Sequence, residues 1–144
     1  MQRGLLGVRT ITVSSGSAAF ELIAPANGYG VFLRQMTISL AAATATTLGL
    51  GRPAAIGVTP TTPVRLLHEH GGDPLELRTM TAVAWGTPPT IPTAFYRRIS
   101  FPAVIGSTIT WEFSSGISIP AGGSLILWNL AANGVCDVSV VVDE

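Results

Sequence analysis

Lysine is absent from this chain of 144 residues: its eight cations are all arginines, balanced by eight carboxylates for a formal net charge of zero. Without a basic stripe there is no electrostatic footprint for nucleic acid, whose binding rests on neutralising phosphates. Charge of either sign is scarce, at 11% of residues, against roughly 25% in an average soluble domain. Cysteine occurs once, as Cys136, which excludes an internal disulfide and a thiolate metal cluster. Long apolar runs are also missing. The most apolar stretch, 117–130, is broken by Pro120, Gly122, Gly123 and Asn129, well short of the roughly 18–20 unbroken apolar residues a membrane helix needs. Residues 1–7 hold no apolar signal core, which predicts synthesis and assembly in a cytoplasm.

What is present is apolar and small. Hydrophobic residues make up 47% of the chain and the mean hydropathy is +0.49. So few charges cannot cover the surface of a domain this size. Thr, Ser, Gly and Ala must cover it, or another copy of the chain must. High hydropathy without a membrane span predicts an oligomer whose interfaces bury apolar surface. The length suits one domain over 1–144, with a possible N-terminal arm at 1–7.

Apolar and polar residues alternate along most of the chain, with turn residues at short intervals, which is the pattern of half-buried strands. Candidate strands are 8–13, 18–24, 30–40, 47–51, 75–85, 95–101, 107–113, 124–130 and 135–143. No window has a helical period; the Ala/Thr-rich stretch 41–47 lacks caps and reads as a loop or a weak edge. Eight of the ten prolines lie between Pro53 and Pro102, so 52–74 and 86–93 read as long stiff loops. Asn133-Gly134 between two apolar runs predicts a type I′ hairpin at the C-terminus. The pattern as a whole predicts an all-β fold, a jelly-roll-like antiparallel β-sandwich of about eight or nine strands.

Few residues suggest chemistry. His68 and His70, on alternate positions of an extended segment, would share a face and a metal. With Glu76 they resemble the first metal motif of cupins. Pro120, Gly122 and Asn129 fall near the spacing of the second cupin motif, but Leu125 stands where its histidine belongs. A site lacking one imidazole predicts no metal, and no other cofactor is indicated. No Gly-x-Ser-x-Gly elbow is present, Cys136 lies in an apolar run, and Glu21, Glu69, Asp73, Glu76, Glu112 and Asp137 sit in no glycosidase-like motif. The chain therefore reads as a non-enzyme. Trp85, Tyr96 and Trp111 are candidates for a sugar-stacking surface. Arg97 and Arg98, adjacent on a predicted strand, face opposite ways. They are expected either to meet an acid across a subunit boundary or to protect an edge. Arg97, Arg98, Tyr96 and Trp85 are thus the candidate contact residues.

The last third of the chain, with YRRISF at 96–101, WEF at 111–113, GISIPAGGSLILWN at 116–129 and VVVDE at 140–144, resembles the small virion proteins of tailed bacteriophages. The resemblance is one of style and turn placement, and no site residue is carried over from it. It implies a capsid decoration (cement) subunit, or a head or tail fibre component. It also implies a jelly-roll fold, a homotrimer, a location in the virion, and partners among the major capsid protein and other virion proteins. The alternative reading with the same fold is an adhesin or lectin-like binding module, and a cupin-like metal enzyme stands third.

Overall fold

A computed structural model describes residues 2–11, 16–61, 63–71, 77–131 and 134–144, and among them there is no helix. The strands are β1 Arg3–Arg9, β2 Ser17–Ile23, β3 Val31–Leu40, β4 Thr46–Pro53, β5 Val58–Pro60, β6 Val64–Arg65, β7 Leu67–His68, β8 Met80–Ala82, β9 Trp85–Thr87, β10 Pro92–Phe101, β11 Thr108–Ile119, β12 Ser124–Ala131 and β13 Cys136–Asp143. They form two antiparallel sheets, in the orders β11-β3-β13-β1-β7 and β10-β4-β12-β2-β8-β6, plus a ribbon of β5 and β9.

The eight long strands alternate between the sheets in chain order, except that β10 returns beside β4. This gives neighbour orders of first, eighth, third, sixth in one sheet and second, seventh, fourth, fifth in the other. That winding is a jelly roll of two Greek keys. The period-2 pattern is what drives it. On β3, Val31, Leu33, Met36, Ile38 and Leu40 all point inward and are at most 2% exposed. They meet Phe20, Leu22, Leu48, Leu50, Leu125 and Leu127 of the opposite sheet in one core. Each such fully buried side chain contributes roughly 1.5–3 kcal/mol.

Three expectations are corrected. The segment read as a possible N-terminal arm, 1–7, is occupied from Arg3 onward by β1, paired with β13 from Arg3–Asp143 to Arg9–Asp137. The C-terminal hairpin does not form, because β12 pairs with β2 and β4 whereas β13 pairs with β1 and β3. Ala132 and Asn133 lie outside the described residues. Gly134 is not among the glycines of positive φ; it is small because a Cβ there would strike the Thr46 hydroxyl. The proline-rich stretch is more than loops. Between β4 and β10 the chain lays β7 beside β1, β8 beside β2 and β6 beyond β8, and Leu66 and Leu77 close the core on that flank. Among the described residues no strand covers the other flank, formed by β10 and β11.

Candidate interaction surfaces

Strand register turns the outer face of the first sheet into rows of side chains that cross its strands. In one row Leu67, Leu5, Val141 and Gln35 stand side by side on β7, β1, β13 and β3. Gln35 then donates to Glu112 on β11 at 3.2 Å. Leu67 is 66% exposed and Leu5 37%, so this row opens with apolar surface. The next row is Gly7, Ser139, Thr37 and Thr110, whose small side chains leave a trough. Ion pairs close both sides. Beyond the trough Arg9 donates twice to Asp137, at 2.7 and 2.9 Å. Beyond the apolar row Asp143 accepts from Arg3 at 3.0 Å and from Arg34 at 2.6 Å.

These pairs set the titration of the face. The hydrogen bonds from Arg9 hold the Asp137 carboxyl below its ordinary range. At Asp143 burial pushes the carboxyl up, but the two guanidiniums together outweigh it and leave it lowered.

The apolar row and trough form a groove of about 540 Å³ that His68 and Glu69 help to line. His68 Nε2 is enclosed and has no hydrogen-bond partner among the described residues. His70 lies past β7 in an exposed bend, and Glu76 lies outside the described residues. Among the described residues no three His, Cys, Asp or Glu side chains gather as a metal site would require. Leu125, at the missing cupin ligand's position, is sealed in the core.

The aromatic candidates separate. Trp111 packs into the main core, while Trp85 lies on the outer side of the second sheet with Trp128 and Phe95. Tyr96 is 41% exposed on β10, its hydroxyl accepting from Arg52 Nε at 2.7 Å. The three make no common platform. Arg97 and Arg98 do diverge: Arg97 sits 5.4 Å from the Phe113 ring centre on β11, and Arg98 5.8 Å from that of Phe95. No carboxylate lies within 4 Å of either among the described residues. Arg52 also reaches across the sheets to the Ser118 carbonyl of β11. The edge strands β10 and β11 therefore lie on one flank, joined by an exposed loop, 102–106, in which Val104 is 58% and Ile105 65% exposed.

One polar site has no signal in the sequence. Glu21 is fully buried on the outer side of the second sheet, where its carboxylate accepts the Gly57 amide. Burial raises its pKa. The Gly57 amide, and the nearby Ser124 hydroxyl and Trp85 indole, pull it part of the way back. The last two are buried without a hydrogen bond of normal geometry. A Cβ on Gly57 would collide with both Trp85 and Glu21. Alternation alone makes Glu21 an exposed residue; only the excursion between β4 and β10 covers it. Cys136 is buried in the main core, its thiol pushed up to about 11 by burial and by Asp137.

Compared with protein-family models, with curated proteins and with solved structures, the chain matches none.

Proposed function

We propose that this chain is a non-enzymatic structural subunit of a larger assembly, of the capsid decoration kind, which works by burying apolar surface against its neighbours. The observation that carries the reading is the open apolar row of Leu67, Leu5 and Val141, bounded by paired charges. An apolar centre with a polar, charge-paired rim is the anatomy of a protein contact. Burying it is worth roughly 25 cal/mol per Å², and a chain with only 11% charged residues has little else on its surface to drive association. Placement on a phage head, and a threefold arrangement, rest on the resemblance of residues 95–144.

The test is the solution mass, by light scattering behind size-exclusion chromatography across a dilution series. A multimer that survives dilution to micromolar concentration supports the proposal; a monomer there removes it.

The groove beside His68 favours a second reading as a binding module, since about 540 Å³ falls within the roughly 300–1,000 Å³ of small-ligand sites. A glycan panel that raises the melting temperature of the wild type but not of Leu67→Asp would put this reading first.

A further inference from the structure

We infer that the flank of β10 and β11 is a self-association edge, at which two copies join about a twofold axis parallel to the strands, β11 of each pairing with β10 of the other. The inference deepens the structural-subunit reading and rests on it.

The first ground is an unblunted edge. β11 is a terminal strand of its sheet. Leu40 exchanges main-chain bonds with Gly106 and Ser107. By the alternation of antiparallel ladders, Ile109 and Trp111 then turn their N–H and C=O groups toward β3, while Thr108, Thr110 and Glu112 turn theirs away. Such a row is a template for another strand unless charge, proline or a bulge blocks it. Between Thr108 and Glu112 there is no proline and no register break, and Glu112 is the one charge. On β10, register shifts lie between Pro92 and Arg97, and from Arg97 to Phe101 the ladder to β4 runs without one.

The second ground is charge. β11 carries one charged residue, Glu112, and β10 carries two, Arg97 and Arg98. Arg97 lies over Phe113 within one copy, so it is level with the residue next to Glu112. A twofold parallel to the strands preserves that height. It therefore sets Glu112 of each copy level with Arg97 and Arg98 of the other, whose guanidiniums lack a carboxylate of their own among the described residues.

The third ground is the loop. β10 arrives at 102–106 and β11 leaves it, so the two strands run in opposite senses and β11 meets the other copy's β10 antiparallel. The same operation brings the exposed Val104 and Ile105 of both copies to one end, where they cover each other. A twofold perpendicular to the sheets would instead pair each edge with its own copy, setting arginines against arginines and sending the apolar loops to opposite ends. Charge and apolar burial select the first arrangement.

The test uses the full chain, with mass from light scattering and far-UV circular dichroism as a fold control. Thr110→Pro removes an outward N–H without touching the β3 ladder, and is expected to weaken dimerisation at least about tenfold with an unchanged spectrum. Glu112→Arg should weaken it too. Adding Arg97→Glu and Arg98→Glu to Glu112→Arg should restore it, which keeps the question decidable if the proline variant fails to fold. A multimer of any size indifferent to all three changes overturns this edge and leaves the structural-subunit reading standing, whereas a monomeric wild type overturns both.

Discussion

Both carboxylate oxygens of Glu21 accept the amide hydrogen of Gly57, at 3.1 and 3.2 Å, in a place closed to solvent and, among the described residues, without a cation within 4 Å. One acid on β2 thereby anchors the chain that runs between β4 and β10, and it does so with its charge desolvated.

That arrangement has a pH signature. The raised pKa means that the folded state binds a proton at Glu21 more tightly than the unfolded state does. Its contribution to stability is complete below the ordinary Glu value of roughly 4.3 and is lost as pH rises through the raised value. Glu21→Gln should abolish this branch and be more stable than wild type above it. Urea midpoints measured for both proteins from pH 4 upward check this, and parallel curves would refute it.

Asp143 sets the opposite branch. Its lowered pKa supplies stability above the ordinary Asp value of roughly 3.9, lost as pH falls through the lowered value. Arg3 and Arg34 keep side-chain exposures of 48% and 30%, so solvent screens part of the interaction. Asp143→Asn should cost about 1–2 kcal/mol at neutral pH, with less loss at pH 2–3. Equal losses at both pH values would show that packing, and not charge, is responsible.

Gly51 lies where β4 passes β10, and a Cβ there would meet the Ala94 carbonyl at 2.6 Å and Pro92 at 2.8 Å. Main chain cannot yield as a side chain does, so Gly51→Ala should destabilise by about 1–3 kcal/mol. At Gly71 an added Cβ would meet no atom of the described residues within 4 Å, and Gly71→Ala should stay within about 0.5 kcal/mol of wild type. Thermal melts of the two variants make the comparison.

Cys136 should behave as a core residue. With its thiol buried and pushed up to about 11, Ellman's reagent at pH 8 should label it only as fast as the protein opens. Labelling should become immediate in 6 M guanidinium. Rapid labelling of the native protein would contradict the placement of β13.

Removing residues 1–7 should abolish cooperative unfolding. The deletion strips most of β1 from between β13 and β7 and uncovers the edge of the first sheet. A free arm would be dispensable for folding, so a truncated chain with the melting curve of the full one would refute the pairing.

Local pattern determined the class of fold. The alternation in 30–40 makes that segment a strand with one apolar side, the short apolar runs 18–24 and 124–130 between turn residues read as buried strands, and a chain of such strands with no helical window packs sheet against sheet. It also placed Arg97 and Arg98 on opposite sides of β10, because successive strand residues diverge whatever their partners. Pairing was a different matter. Asn133-Gly134 has the chemistry of a hairpin turn, yet β12 and β13 belong to different sheets, since each is flanked by two other strands. The start of β1 was hidden because Leu5 faces outward and Gly7 carries no side chain, so the period is blurred just where the strand begins.

The surfaces were settled at the tertiary level alone. Leu67, Leu5, Val141 and Gln35 come from four distant segments, and only register sets them in one row. Glu21 is buried because a stretch more than thirty residues away in the chain folds over it. Composition determined that this protein has little charge with which to meet water. The winding of the sheets decided which apolar residues stay uncovered, because register and crossover are properties of contacts between segments and not of any segment by itself.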